Sequence, residues 1–271
     1  MNRRRLHWTF FAGATFVGLL VLAAALAPWL SPFGPRALDL PHSFAPPGGR
    51  HPLGAGDNGV DMLTQVLFGA RVSLAVGVSA VLVAGTFGTI LGTTVGYVGG
   101  FADEVVMRLV DILLAFPGIL LAIFLTAVFG PSFGGLVFAL SATAWVGYAR
   151  LARAQALSLR RRDFVTAARA AGAGGPRIVL RHLLPNLLAP ILVQATLGLP
   201  GTILAEAALS FLGLGVPPGT PSWGALVDQG AAHLLDAPHV ALVPGAAIAL
   251  TVLALNFIGE TVRERLNPRG V

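Results

Sequence analysis

The sequence predicts an all-α membrane protein with six transmembrane helices, and three observations lead to this fold class. Hydrophobic residues make up 55% of the chain and charged residues 11%, with a mean hydropathy of +0.78, whereas charged residues average about 25% in soluble domains. Several apolar runs reach the roughly 18 to 20 residues that cross a bilayer. Arginines are also concentrated in alternate connecting segments, as the positive-inside rule requires.

The composition narrows the function classes. All 18 basic residues are arginine, and a Walker A phosphate loop needs a lysine, so the chain cannot hydrolyse ATP through such a loop. No cysteine is present, which excludes disulfides and thiolate metal sites. A net charge of +6 in a membrane protein is typical of basic cytoplasmic loops. We therefore predict contact with anionic membrane lipid and no nucleic-acid partner.

The first predicted helix covers residues 8–30, directly after the basic segment 3–5. The apolar core of a cleaved signal peptide is usually about 7 to 15 residues long. This run is longer and ends in Trp29 beside a proline. We predict an uncleaved transmembrane helix with a cytoplasmic N-terminus.

A loop rich in proline and glycine follows over residues 31–59, and we predict that it is extracytoplasmic. His42 and His51 in this loop could ligate a metal ion. Their spacing matches no recognised motif, so no metal site is predicted.

Residues 60–70 have apolar side chains at helical spacing. They predict a short amphipathic helix at the membrane interface, with Arg71 at the membrane edge. Residues 1–71 are thus a predicted N-terminal unit of one transmembrane helix, a loop and an interfacial helix.

Five further spans are predicted between residues 72 and 262, each an apolar run bounded by turn signals or charges. The second span carries Gly88, Gly92 and Gly96 at a four-residue spacing that lets helices approach closely. The third contains Pro117. The predicted spans are 72–98, 105–129, 133–149 with a continuation to 159, 187–214 and 240–258. Residues 263–271 are a predicted cytoplasmic tail.

The distribution of arginine supports six spans with both termini in the cytoplasm. With this topology only Arg36, Arg50 and Arg71 lie outside, and every other arginine lies in a cytoplasmic segment. A shift of one span destroys this bias.

The longest polar interruption is the predicted cytoplasmic loop, residues 160–185. Asp163 is a suitable N-cap and Gly172 a suitable C′ residue for a short helix. A second helix is predicted from Pro176, a favoured first-turn residue, to Leu184, before a break or bend at Pro185 and Asn186. The small residues of the first helix share one face with an aromatic ring by i, i+3, i+4, i+7 spacing: Phe164, Ala167, Ala168 and Ala171. Such a helix suits docking into a groove on another protein, and an ordinary basic loop is the alternative.

Residues 166–185 resemble the EAA motif of permeases from binding-protein-dependent ABC importers, whose pattern is EAA-x3-G-x9-I-x-LP. Five residues stand at matching positions: Ala167, Ala168, Gly172, Leu184 and Pro185. Thr166 stands where the family usually has glutamate, and His182 where it usually has isoleucine. The segment RHLLPN is similar to the peptide and nickel branch of that family.

The resemblance extends over nearly the whole chain, through HPLGAGDNGVDML, GYVGGFADEVVMRLVDILLAFPGILLAI, EAALSFLGLGVPPGTPSWGALV and NFIGETVRERLNPR. It implies a type I ABC importer permease fold with residues 72–262 as permease core, in the second permease subunit of a dipeptide, oligopeptide or nickel importer. The implied partners are a homologous permease subunit, two ABC ATPase subunits and an extracytoplasmic solute-binding protein. ATP and Mg²⁺ would be bound by the ATPases, and this chain would be non-catalytic, without a cofactor, in a bacterial or archaeal plasma membrane.

The resemblance also assigns roles to residues. The ATPase-coupling residues it implies are Asp163, Thr166, Ala167, Ala168, Gly172, Leu184 and Pro185. In the family this segment forms the coupling helix that sits in a groove of the ATPase.

Three predictions concern other polar or aromatic residues. Glu206 is an acid inside the fifth span, where a carboxylate is costly, and it either lines the translocation pathway or hydrogen-bonds between helices. Asp111 and Arg108 are one turn apart and predict an ion pair. Trp223 predicts an anchor at the outer interface.

Two other functions remain open at the level of sequence. An ion-coupled secondary transporter would use buried ionisable groups and often shows inverted repeats, and no repeat is evident here. A membrane scaffold without transport activity is the other. A permease for nickel or a metal chelate remains an alternative within the resembled family.

Overall fold

The computed structural model describes residues 3–266, with side chains from residue 8 onward. Within this range the chain is helical with loops, and its only β-type pairings are two isolated bridges, so the all-α prediction is confirmed. Five helices are long and apolar enough to cross a membrane, or six when one sharply bent pair counts as a single span. The helices are α1 Arg3–Ala25, α2 Ala27–Leu30, α3 Met62–Val98, α4 Gly100–Ala115, α5 Gly118–Phe129, α6 Phe133–Leu159, α7 Asp163–Ala170, α8 Gly175–Ile178, α9 Leu184–Phe211, α10 Trp223–Ala231 and α11 His239–Leu266.

The separate interfacial helix predicted over residues 60–70 is wrong. Residues 62–70 are instead the first turns of α3, a continuous helix of 37 residues. Asp61 caps its N-terminus by accepting a hydrogen bond from the Thr64 amide. Gly69 and Ala70 keep the helix in close contact with Trp223 and its neighbours, so the packing gives no reason for a break at Arg71.

The third predicted span is two helices rather than one. α4 and α5 meet at an angle of 92°. Phe116 is extended (φ −93°, ψ 141°) because the ring of Pro117 disfavours helical geometry in the preceding residue. Pro117 then serves as the N-cap of α5.

The small residues of α3 pack directly on α6, as their spacing predicts. A Cβ atom at Gly88 would lie 2.4 Å from the Trp145 carbonyl oxygen, and one at Gly92 would lie 2.2 Å from that of Ala149. The two backbones are therefore in contact, which only glycine permits here.

The helix does not break at Pro185, where the sequence predicts a break or a bend. Helical structure continues from α8 through a π-helical turn, Val179–Leu183, into α9. A proline ring would clash with the carbonyl four residues earlier in a regular helix, and the wider π turn directly before Pro185 makes room for it. Asn186 Nδ2 donates to the His182 carbonyl oxygen at 2.7 Å and satisfies that acceptor.

Trp223 is buried in the bundle and is no interfacial anchor. It opens α10 with no exposed surface, and its Nε1 donates to the Val66 carbonyl at 3.1 Å. Ser222 caps α10 through the Ala225 amide. The segment between α9 and α11 thus folds back into the bundle, against α3.

The last helix is longer than the predicted sixth span, because α11 continues to Leu266. Arg263 pairs with Glu260 at 2.5 Å, and the Arg265 guanidinium lies 5.1 Å from the centre of the Phe10 ring. The predicted tail is therefore helical as far as it is described, and its residues 267–271, with Arg269, lie outside the described range.

Candidate functional site: the helix between the fourth and fifth spans

The short helix α7 lies beyond the C-terminal end of α6, at the end of the bundle where α3 also ends. Its first residue is Asp163, and the N-cap position is occupied by Arg162 without a side-chain cap. The predicted N-cap role of Asp163 is therefore wrong by one residue. Its carboxylate still lies in the first turn, where the positive end of the helix dipole interacts favourably with a negative charge.

The C-terminal end of α7 is fixed by a Schellman motif. Gly172 has φ +81° and is the C′ residue, as predicted. Its amide donates to the Arg169 carbonyl at 2.9 Å, and the Ala173 amide donates to the Ala168 carbonyl at 3.0 Å. These two bonds define the motif and set the direction in which the chain leaves the helix.

One side chain anchors α7 to the rest of the molecule. Val165 has no exposed surface and packs with Ala152, Ala156, Ile178 and Leu183. This cluster joins α7 to α6, α8 and the π turn before α9. The alanine-rich spacing did not single out Val165, although it is the only β-branched aliphatic residue of the helix and alone can fill such a pocket.

The opposite side of α7 is exposed in the subunit and, apart from one phenylalanine, carries only alanines. We call it the outer face, and its residues are exposed in the subunit: Phe164, Ala167, Ala170 and Ala171. Ala168, which the spacing assigned to this face, is half-buried on the Val165 side. Four exposed arginines lie just before and after α7 in the sequence: Arg161, Arg162, Arg177 and Arg181.

Two other arginines fasten this region to the end of α3. Arg160 Nη1 donates to the Gly96 carbonyl at 3.0 Å, so it satisfies an acceptor that the helix C-terminus leaves free. The Arg169 guanidinium lies 5.2 Å from the Tyr97 ring centre, and its Nε is 3.4 Å from the Tyr97 hydroxyl. Sequence reasoning missed Tyr97, because these contacts join positions more than sixty residues apart.

A bidentate ion pair links α6 to the start of α4. Arg153 Nε and Nη2 donate to the two carboxylate oxygens of Asp103 at 2.5 and 2.6 Å. The predicted Arg108–Asp111 pair is not among the ion pairs of the described residues. Arg153 has a favourable electrostatic interaction with Asp111 as well, although its hydrogen bonds go to Asp103.

The remaining predicted coupling residues divide into two groups. Asp163, Thr166, Ala167 and Gly172 are exposed on or beside α7. Leu184 and Pro185 instead open α9, where they line an apolar groove of about 380 Å³ against α3. Thr166 bonds no other element, since its hydroxyl faces only the Arg162 carbonyl, at 3.5 Å.

Glu206 lies inside the subunit's own helix packing, with no exposed surface. Its Oε1 accepts from the Ser210 hydroxyl at 2.8 Å, and its Oε2 has no hydrogen-bond partner. Ser73 of α3 and Ser222 before α10 are also close to the carboxyl group. This position favours the packing role between helices, and the pathway role stays a prediction.

Comparison with known proteins gives two family matches. Residues 88–270 match the family described as the binding-protein-dependent transport system inner membrane component. Residues 2–47 match the family described as the N-terminal TM domain of oligopeptide transport permease C.

Relatives match over nearly the full chain. One from Brucella abortus biovar 1, named as a peptide transport system permease protein, is 44% identical over 99% of this chain and 91% of its own length. The glutathione transport system permease protein GsiD of Shigella dysenteriae serotype 1 is 41% identical over 98% of this chain and 88% of its own. A chain from the inward-facing MetNI methionine ABC transporter is 21% identical, with a TM-score of 0.54, over 72% of this chain and 94% of that one. That last likeness concerns the fold.

Proposed function

We propose that this chain forms one half of an ATP-driven translocation pathway. The chain belongs to the family of binding-protein-dependent transport system inner membrane components and is an ABC importer permease of the peptide and oligopeptide group. The other half is a homologous permease subunit. Two ATPase subunits bind ATP and Mg²⁺ and perform the hydrolysis, and an extracytoplasmic solute-binding protein delivers the substrate. Both termini and α7 face the cytoplasm.

The outer face of α7 is the observation that carries this proposal. Its side chains are exposed and, apart from Phe164, small, so this face can enter a groove on the ATPase. Ala167 on this face makes that contact, and Asp163, Thr166 and Gly172 border it. Ala168 supports it from the Val165 side, and Leu184 and Pro185 hold the start of α9 beneath it.

The same structure offers a route for coupling. α7 is held by Val165 against α6 and the start of α9, and by Arg169 against the end of α3. Packed elements move together because well-packed interfaces resist continuous deformation. When the ATPases close on ATP, displacement of α7 therefore moves the ends of three spans, and the pathway changes the side to which it opens.

Ala167→Arg tests this proposal in the complete transporter reconstituted in liposomes. Ala167 is exposed, so the arginine can be accommodated in the subunit but not in a close-fitting groove. We expect uptake to fall by at least about tenfold, the factor that ~1.4 kcal/mol of lost docking energy produces, and the ATPase to dissociate during purification. Ala154→Arg, at an exposed alanine of α6, is the matched control. Normal uptake and ATPase retention in Ala167→Arg would show that the outer face does not dock.

The energy source separates this proposal from an ion-coupled transporter. Uptake by the reconstituted complex should stop when ATP is omitted and should survive an uncoupler that collapses the proton gradient. The reverse result would assign the driving force to an ion gradient. Glu206, a buried ionisable group, would then be the candidate for ion coupling.

We propose a short peptide as substrate, because the relatives are named as peptide and glutathione permeases. The cognate solute-binding protein, purified under native conditions and analysed by mass spectrometry, should release di- or oligopeptides. Release of a metal chelate would instead support the nickel-type alternative.

A further inference from the structure

The loop between α2 and α3 brings together three potential metal ligands. Asp39, His42 and His51 each offer one ligand atom, and these atoms lie within 4.8 Å of one another. The spacing of the two histidines matches no common motif, and no metal site was predicted from it. The fold brings the ligands together although their spacing in the sequence does not predict it. The backbone returns Asp39 towards the C-terminal part of the loop, where its amide donates to the Asn58 carbonyl at 3.1 Å.

His51 is the best-defined member of the cluster. It is 3% exposed, and its Nδ1 lies 3.0 Å from Asp61 Oδ1. An ionised carboxylate only accepts hydrogen bonds, so Nδ1 of a neutral ring carries the proton and Nε2 presents a lone pair. That Nε2 is buried without a hydrogen-bond partner, which is costly for a nitrogen acceptor.

The unpartnered nitrogen points into the cluster. His51 Nε2 is 3.6 Å from Asp39 Oδ2, too long for a hydrogen bond. Two ligands at about 2.1 Å from a tetrahedral ion are about 3.4 Å apart, so this separation suits a shared cation. The neighbouring His42 ring lies 5.9 Å from the His51 ring, centre to centre.

The surroundings hold the ligands in place. Asp61 Oδ2 accepts from both the amide and the hydroxyl of Thr64, each at 2.8 Å, so the carboxylate that orients His51 is itself fixed to the first turn of α3. The Phe33 ring stacks on His51 with centres 5.1 Å apart. Histidines that bind metal ions are usually oriented in this way, by a hydrogen bond from the other ring nitrogen to a fixed carboxylate.

We propose that Asp39, His42 and His51 bind one divalent transition-metal ion, with Zn²⁺ the best match. Two imidazoles and a carboxylate suit zinc, and solvent completes a four-ligand site. The His42 side chain is 46% exposed, which leaves an entry path. The ion cross-links Asp39 and His42 to His51, and the hydrogen bond from His51 to Asp61 ties the site to the N-terminus of α3. This inference does not depend on the proposed coupling role of α7.

Zinc content of the purified full-length chain in detergent tests the site. After EDTA treatment and equilibration with Zn²⁺, elemental analysis should find about one ion per chain, as the one three-ligand cluster in the described part of the chain requires. His42→Ala and Asp39→Asn should both lose it. His182→Ala removes one imidazole at the opposite end of the molecule and serves as the control. No zinc in the wild type, or full zinc content in His42→Ala, would overturn the proposal.

Limited trypsin digestion gives a second readout that needs no transport activity. Arg36 and Arg50 are exposed in the loop. Two of the ligands, Asp39 and His42, lie between these arginines, and His51 directly follows Arg50. We expect Zn²⁺ to slow cleavage at both sites in the wild type and in His182→Ala, and to leave the rates unchanged in His42→Ala. Equal protection in His42→Ala would place the zinc effect elsewhere and would contradict the site.

Discussion

Gly172 ends the short helix α7 in a backbone conformation that other residues adopt only at a cost. Its φ is +81°, and no atom lies within 4 Å of a Cβ added there. A substitution therefore introduces backbone strain without a clash, and the expected penalty of a left-handed non-glycine residue is about 1–2 kcal/mol.

Gly172→Ala should therefore lower thermal stability measurably, whereas Gly174→Ala should not. Gly174 also has open space around its Cβ position but a negative φ, so it is a matched control. Thermal unfolding of the two purified variants compares them directly. Equal melting temperatures would mean that the end of α7 relaxes and does not depend on the Schellman motif.

Single residues also show what sequence can and cannot predict. Gly172 was predictable because a C′ glycine is a local signal. Val165 and Tyr97 were not, because their importance comes from contacts with distant segments. The Asp103–Arg153 pair was missed for the same reason, because its two residues lie on α4 and α6, far apart in the sequence.

The spacing of small residues in α3 predicted a close helix contact without identifying its partner, which the structure shows to be α6. Glycine to alanine in an ordinary helix interior is favourable by roughly 1 kcal/mol. At Gly92 the added Cβ would lie 2.2 Å from the Ala149 carbonyl oxygen, and backbone cannot give way as a flexible side chain can.

Gly92→Ala and Gly18→Ala should consequently change stability in opposite directions. Gly18 lies inside α1 with nothing within 4 Å of its Cβ position, so its substitution gains helix propensity alone. Gly92→Ala must separate α3 from α6 and should unfold at lower temperature. A stabilised Gly92→Ala variant would show that the two helices can move apart at little cost.

Helices were predictable where the length of an apolar run sets their bounds. They were less predictable where a proline or the packing of neighbouring helices sets them. The spans near α1, α6 and α11 follow hydropathy. Pro117 separates α4 from α5 at 92°, whereas Pro190 and Pro200 lie inside α9 and Pro185 is absorbed by a π turn. Whether a proline breaks a helix depends on what satisfies the surrounding backbone, and a single sequence does not reveal that.

The whole molecule has two different ends. The end of the bundle with Tyr97 and α7 is rich in arginine contacts, and the opposite end holds the Asp39, His42 and His51 cluster and α10. The exposed apolar side chains of α4 and α5, such as Phe101 and Phe124, extend between these ends, where lipid or the homologous permease would cover them. This asymmetry agrees with the arginine distribution that led to the six-span topology.

Because the chain contains no cysteine, single-cysteine labelling can determine which end faces the cytoplasm. Ala171→Cys lies on the outer face of α7, and Leu235→Cys replaces a residue that is 98% exposed between α10 and α11. In intact cells a membrane-impermeant maleimide should label Leu235→Cys and leave Ala171→Cys unlabelled. Inverted membrane vesicles should give the opposite pattern, and permeabilised cells should label both. Labelling of Ala171→Cys in intact cells would place α7 outside, where no ATP-driven partner could reach it, and would refute the coupling proposal together with the topology.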